Sequence, residues 1–267
     1  MPDLGVIAWV ILGFGALGVG FAKTAIGGVA SVSVALFAWV LPAKASTGAL
    51  LVLLLVGDVV AVAIYRHDVA WRDLARMVVP VGIGVGLGAV FLREVSDQVL
   101  KVTIGVVLLG LVVLHVANEL MDRRRAARIH ADDAGRRVAS GPAPAGAARG
   151  RWRWQVVGYG ALAGFTTMVA NAGGAAMTLY LLAARFAKWR FLGTSAWFFL
   201  FVNLAKSPFS VALGLITKES LLMCAVLVPA VLVGTWVGRA VIARIDQARF
   251  NAVVLGFTAL SAVILLV

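Results

Sequence analysis

The chain has 267 residues, of which 62% are hydrophobic and 13% charged, with a mean hydropathy of +0.99 and a net charge of +12. A soluble domain carries about half apolar and about a quarter charged residues, so a water-soluble fold is excluded. The alternating strand pattern of an outer-membrane barrel is missing as well, and the basic charge lies between apolar stretches, which argues against nucleic acid as a partner.

Ten hydrophobic segments follow one another at 4–22, 25–41, 45–65, 75–92 and 98–118, then 154–170, 172–186, 191–216, 220–243 and 250–266. A bilayer offers backbone groups no water, so segments of about 20 apolar residues must be helices. Asp3 stands where a leader peptide would be basic, so the first segment is expected to stay. That segment contains Gly13-Phe-Gly-Ala-Leu-Gly18, a glycine pattern without the strand and acid of a dinucleotide site, and reads as helix packing. From Gly18 through Lys23 and Thr24 to Gly27-Gly28 the apolar run is broken. The 45–65 segment carries Thr47 and Asp58, and Pro80 precedes Gly82, Gly84, Gly86 and Gly88 in the next.

The stretch 119–153 holds nine arginines against Glu119, Asp122, Asp132 and Asp133 and includes Gly141-Pro-Ala-Pro-Ala-Gly146. It reads as a basic cytoplasmic linker between a first transmembrane repeat, 1–118, and a second, 154–267. The break recurs beyond it, from Gly164 through Asn171 to Gly173-Gly174, with an offset of 146 residues pairing Gly18 with Gly164 and Gly27 with Gly173. Thr194 and Ser195 open the next segment, Asn203 and Lys206 lie inside it, and Pro229, Gly234 and Gly238 echo the first half. Cys224 is a lone apolar-segment cysteine.

With the linker inside, the loops holding Arg66, Arg72 and Arg76, then Arg185, Lys188 and Arg190, then Arg239, Arg244 and Arg249 also fall inside. Loops with balanced charge (Arg93 and Lys101 against Glu94 and Asp97; Lys218 against Glu219) fall outside, as do both termini. Five segments per half is an odd number, so the halves insert oppositely. The fold class is an all-α polytopic membrane protein of two inverted repeats, with broken or re-entrant helices at a central site.

Polar residues inside the apolar segments mark that site, because charge at the bilayer centre is expensive. Lys23 reads either as a lysine snorkelling to the headgroups or as a cation facing an anion. Helix starts beside Gly27, Gly28, Gly173 and Gly174 would add free N–H groups and a positive dipole end. Asp58 and Lys206 form either a structural pair across the halves or a coupling site. The three histidines, His67, His115 and His130, form no Cys/His cluster, so no metal or cofactor is expected. Asp58 stands alone and no intramembrane Ser–His pair exists, so enzyme readings lack parts.

These residues resemble a known family. Gly20-Phe-Ala-Lys-Thr-Ala-Ile-Gly-Gly28, with Leu41-Pro-Ala-Lys44, Gly57-Asp58 and Tyr65-Arg66, is similar to the TauE/SafE sulfite-exporter family of membrane permeases. So are Gly164-Phe-Thr-Thr-Met-Val-Ala-Asn-Ala-Gly-Gly174, Leu179-Tyr-Leu-Leu182, Gly193-Thr-Ser195 and Asn203-Leu-Ala-Lys206. The resemblance implies a bacterial inner-membrane location, transport of small anions such as sulfite, sulfonates or sulfoacetate-like compounds, and a preference for proton coupling. Where many relatives carry Lys-Gly-Gly, this chain has Lys23-Thr24-Ala25 before its glycine pair.

The expected function is a secondary transporter of small anions working by alternating access. Lys23, Thr24, Gly27, Gly28, Asn171, Gly173, Gly174, Thr194, Ser195 and Asn203 are the candidate substrate contacts, with Asp58 and Lys206 as a coupling or structural pair. Partners are the anion and the lipid bilayer, with proton coupling and self-association left open. The rival readings are an anion channel and a non-transporting scaffold or sensor acting through the basic linker.

Overall fold

A computed structural model describes residues 4–25, 29–96, 98–100, 102–103, 106, 145–171, 173–174, 177, 180–181 and 186–246, with 145–156 described by backbone alone. Among these residues the protein is helical throughout. The elements are α1 (Val6–Thr24), α2 (Val29–Val40), α3 (Ala43–Tyr65), α4 (Trp71–Glu94), α5 (Ala145–Ala170), α6 (Lys188–Ala212) and α7 (Lys218–Ala243). Helices α1, α3, α4 and α7 are long and apolar enough to cross a membrane. At about 1.5 Å per residue, the 12 residues of α2 rise only about 18 Å, short of a bilayer core of about 30 Å.

Local chemistry sets several of the helix ends. Leu41-Pro42 closes α2, because the residue before proline disfavours helix, and Pro42 then caps α3. Asn171 ends α5 in the left-handed region at φ 51°, a conformation that asparagine tolerates better than most residues. Gly214 (φ 68°) ends α6, with Leu215 N–H donating to the Ser210 carbonyl and Gly214 N–H to Val211, the paired bonds of a Schellman motif. Thr217 opens α7 through a capping box with Ser220. The segment boundaries agree within a few residues except at α5, whose helix starts at Ala145 rather than 154, inside the stretch read as linker. The 250–266 segment and most of 98–118 and 172–186 lie outside the described residues.

Glycines let the helices cross at backbone contact, and they do so reciprocally. α1 packs most extensively on α7, and α4 on α5. A Cβ on Gly234 would strike the Leu17 carbonyl and the Phe21 nitrogen; one on Gly84 would strike the Ala161 carbonyl and the Phe165 nitrogen. In the other direction, Gly20 lies against the Val231 carbonyl and Gly164 against that of Val81. α1 and α7 therefore meet through the same kind of glycine contacts as α5 and α4, with Gly20 rather than Gly18 in the place of Gly164. Gly18 instead faces the Ser33 hydroxyl on α2. The match does not extend to α3 and α6, since α3 packs on α7 more closely than α6 does on α4.

This interlock makes a prediction. Gly234→Ala or Gly84→Ala overpacks a backbone crossing at a cost of about 1–3 kcal/mol, read as a lower thermal-unfolding midpoint of the purified protein in detergent. Gly82→Ala is the control, because nothing lies within 4 Å of its added methyl. Equal midpoints for Gly234→Ala and Gly82→Ala would sink the account.

Candidate functional site

The polar residues of the broken helices converge on one buried cluster. Lys23, in the last turn of α1, points its Nζ at Asp58 Oδ1 on α3, 2.6 Å away, with the Asp58 side chain fully buried. Asn203 of α6 donates Nδ2 to Asp58 Oδ2 at 2.5 Å. The Lys23 ammonium also lies 4.5 Å from the Phe199 ring centre, a favourable place for a cation against a π face. Asp58 therefore pairs with Lys23 rather than with Lys206. Asn203, one turn before Lys206 on the same helix, occupies the place facing the carboxylate.

Lys206 is buried on the other side of the cluster, with 1% of its surface exposed. Its Nζ donates to Asn171 Oδ1 at 2.6 Å, to the Thr167 carbonyl at 2.8 Å and to Thr167 Oγ1 at 3.2 Å. Asn171 Nδ2 donates onward to the Thr47 carbonyl at 3.0 Å, joining α5 to α3. The left-handed backbone of Asn171 turns its amide from the end of α5 towards both partners. The carbonyl end of α5 meets part of the Lys206 charge, but no carboxylate contacts it. The cluster thus holds two buried lysines and one buried aspartate, the aspartate paired with Lys23 alone, a formal surplus of one positive charge.

A cavity of about 40 Å³ adjoins these groups. A water needs some 10–15 Å³ on this measure, so the space fits a few waters or one small oxyanion. Lys23, Asn171, Gly174, Ser195 and Asn203 line it, with Thr167 and the apolar walls of Leu54, Phe191 and Phe199. Asn203 Oδ1 is buried without a hydrogen-bond partner, and such an orphan acceptor calls for a donor.

Of the residues singled out by sequence, these five meet at the cavity. Thr24 spends its hydroxyl on the Thr235 carbonyl at 2.9 Å and the Gly20 carbonyl at 3.3 Å, fastening α1 to α7. Thr194 accepts from Ala70 N–H at 3.0 Å, holding α6 to the turn after α3. Gly173 packs against Thr167 and the Ala163 carbonyl. Gly27 and Gly28 lie outside the described residues. Thr167, which the sequence marks as a neutral polar neighbour of these groups, also lines the cavity, and Phe199 completes it without standing out, because phenylalanines are ordinary in apolar helices. Thr167 lies four residues before Asn171, which places it on the same helix face.

Among the described residues no group of three or more His, Cys, Asp or Glu could hold a metal. A family model described as "Sulfite exporter TauE/SafE" matches residues 12–265. No curated protein and no solved structure matches the chain.

Proposed function

We propose that this chain, which belongs to the sulfite exporter TauE/SafE family, is a carrier that binds one small sulfur oxyanion or sulfonate at a time in the cavity beside Lys23, Asn171, Ser195 and Asn203. Membership makes it a multi-pass protein of a membrane-transporter family. The observation that carries the substrate reading is the formal charge count of the buried cluster beside the cavity, two lysines to one aspartate, with Lys23 itself in the cavity wall. An entering anion would balance the surplus and displace ordered water, whereas a cation would add to it. Phe191, Phe199 and Leu54 keep the surroundings of low polarity, where each charge interaction is stronger than in water. The Lys23–Asp58 pair, fixed by Asn203 as well, supports a structural role for Asp58 over proton coupling.

The reciprocal seating of α1 on α7 and α4 on α5 supports two inverted repeats rocking about this cavity. The loop charges support a cytoplasmic position for the end bearing Arg66, Arg190 and Arg239 and for the linker.

Uptake of labelled sulfite, sulfoacetate and acetate into proteoliposomes tests the proposal. Saturable uptake of at least one sulfur anion, accelerated by the same anion preloaded inside, is the expected result. Flux that rises linearly with concentration without such exchange would indicate a channel, and no flux of any anion would remove the transport reading.

A further inference from the structure

The three basic loops assigned to one side of the membrane meet in the structure around a second cavity, separate from the central one. It lies between the end of α3, the start of α6 and the end of α7 and has a volume of about 280 Å³, with Tyr65, His67, Asp68, Trp189 and Arg239 in its lining. Lys188 braces it, donating to the Ile242 carbonyl at 3.2 Å and to that of Ile245 at 2.5 Å while lying over the Trp189 ring. Arg239 is exposed and forms no ion pair among the described residues, although Asp68 lines the same cavity. Arg66 Nε donates to His67 Nε2 at 3.2 Å, which leaves Nδ1 as the ring nitrogen that can donate.

Tyr65 connects this space to the central site. Its side chain lines the outer cavity, yet it is 7% exposed and its hydroxyl donates to the Thr24 carbonyl at 2.7 Å. Thr24 follows Lys23 directly, so one buried phenol links the wall of the outer cavity to the turn that carries the central lysine. The matched positions among the described residues carry no equivalent. The contacts of Gly234 and Gly84 relate α1 to α5 at an offset of 144 and α7 to α4 at 150, and the Asp58–Asn203 bond relates α3 to α6 at 145. In those registers Thr24, Tyr65 and Arg239 fall on Met168, Ser210 and Ala89. At these matched positions the arginine and the tyrosine have no counterpart.

We propose that this outer cavity is a second oxyanion subsite, a port in which Arg239 collects the sulfonate or sulfite group before Tyr65 yields it to the central cavity. The inference rests on the transport reading above for its role, but not for its occupancy. The planar guanidinium matches the oxygens of a sulfonate in a two-point contact, His67 adds a donor, and Trp189 walls one side. Asp68 works against the anion and sets its affinity low, which suits a port that must release its cargo. The two charges therefore predict effects of opposite sign, which a scaffold role would not produce.

Two measurements test the port. In proteoliposomes, Arg239→Gln is expected to raise the KM for sulfoacetate about fivefold, the weight of one partly exposed charge contact, with a smaller loss of maximal rate. Asp68→Asn is expected to lower KM. Separately, the purified full-length protein in detergent is treated with phenylglyoxal, and modification of Arg239 is followed by peptide mapping with and without sulfoacetate, using gluconate as the control anion. Sulfoacetate should slow modification of Arg239 selectively. If transport proceeds but KM is unmoved in both variants and Arg239 is modified equally fast, the port is wrong and the central site stands. If nothing is transported yet sulfoacetate protects Arg239, the port stands and the carrier reading falls. Failure of transport with no protection removes both.

Discussion

Asp58→Asn abolishes anion uptake and lowers the stability of the protein by about 3–5 kcal/mol, the usual cost of removing one partner from a buried ion pair. The magnitude follows from the surroundings rather than from the pair's own strength. Lys23 would be left with its ammonium facing an amide and the Phe199 ring, and its side chain is 8% exposed. Asn203 Nδ2 would lose a carboxylate acceptor and keep an amide one. An isolated charge in such a place is far costlier than a matched pair or no charge at all. The double variant Lys23→Met with Asp58→Leu should therefore recover much of the lost stability, because two apolar side chains replace the pair. It should not recover uptake, because the cavity loses the cation on its wall. Thermal unfolding in detergent and uptake in proteoliposomes read the two effects apart. If Asp58→Asn melts with the wild type, the buried pair is not the constraint described. Should the double variant transport normally, Lys23 has no part in anion recognition.

The helices were legible because the bilayer leaves a chain few choices. An apolar run of sufficient length must hydrogen-bond its own backbone, and the ends of α1, α3, α4 and α7 lie within a few residues of where hydropathy puts them. Helix α5 departs at its start for a local reason. Pro144 is followed by Ala145, Ala147, Ala148, Arg149 and Arg151, strong helix formers that continue the helix ahead of its apolar part, where charge composition alone reads linker.

The members of the site were legible, but their pairing was not. Lys23, Asp58, Asn171, Asn203 and Lys206 each stand out as polar residues in apolar segments. Which lysine meets Asp58 depends on the rotation of α3 against α1 and α6, and rotation is set by contacts such as Gly57 against the Lys23 side chain. Sequence spacing carries no information about that. Likewise the 146-residue offset aligns the two glycine pairs, whereas the helix crossings follow an offset of 144 in α1 and α5. The two-residue difference falls between Gly164 and Gly173, the stretch in which Asn171 adopts its left-handed turn.

Lys206→Gln has the second largest expected effect, and it isolates charge from fit. Glutamine keeps an N–H donor for the Thr167 carbonyl or Asn171 Oδ1, so the junction of α5 and α6 retains a polar link and stability falls less than in Asp58→Asn. The cluster, however, loses its surplus positive charge, since Lys23 and Asp58 then balance. Lys206 reaches the cavity through Asn171, which lines it. At a separation of about 6 Å and an effective dielectric of about 20, one charge on another is worth roughly 3 kcal/mol, or about a hundredfold in affinity. Uptake of sulfite and sulfoacetate at sub-saturating concentration should drop by about that factor, while Lys206→Arg, which keeps the charge, retains more activity. The loss should be larger for a doubly charged anion than for a singly charged one of similar size, because the attraction scales with the charge of the ligand. Wild-type uptake in Lys206→Gln would show that the lysine serves only to cap the carbonyl end of α5, and the electrostatic basis for anion selection would then have to rest on Lys23 alone.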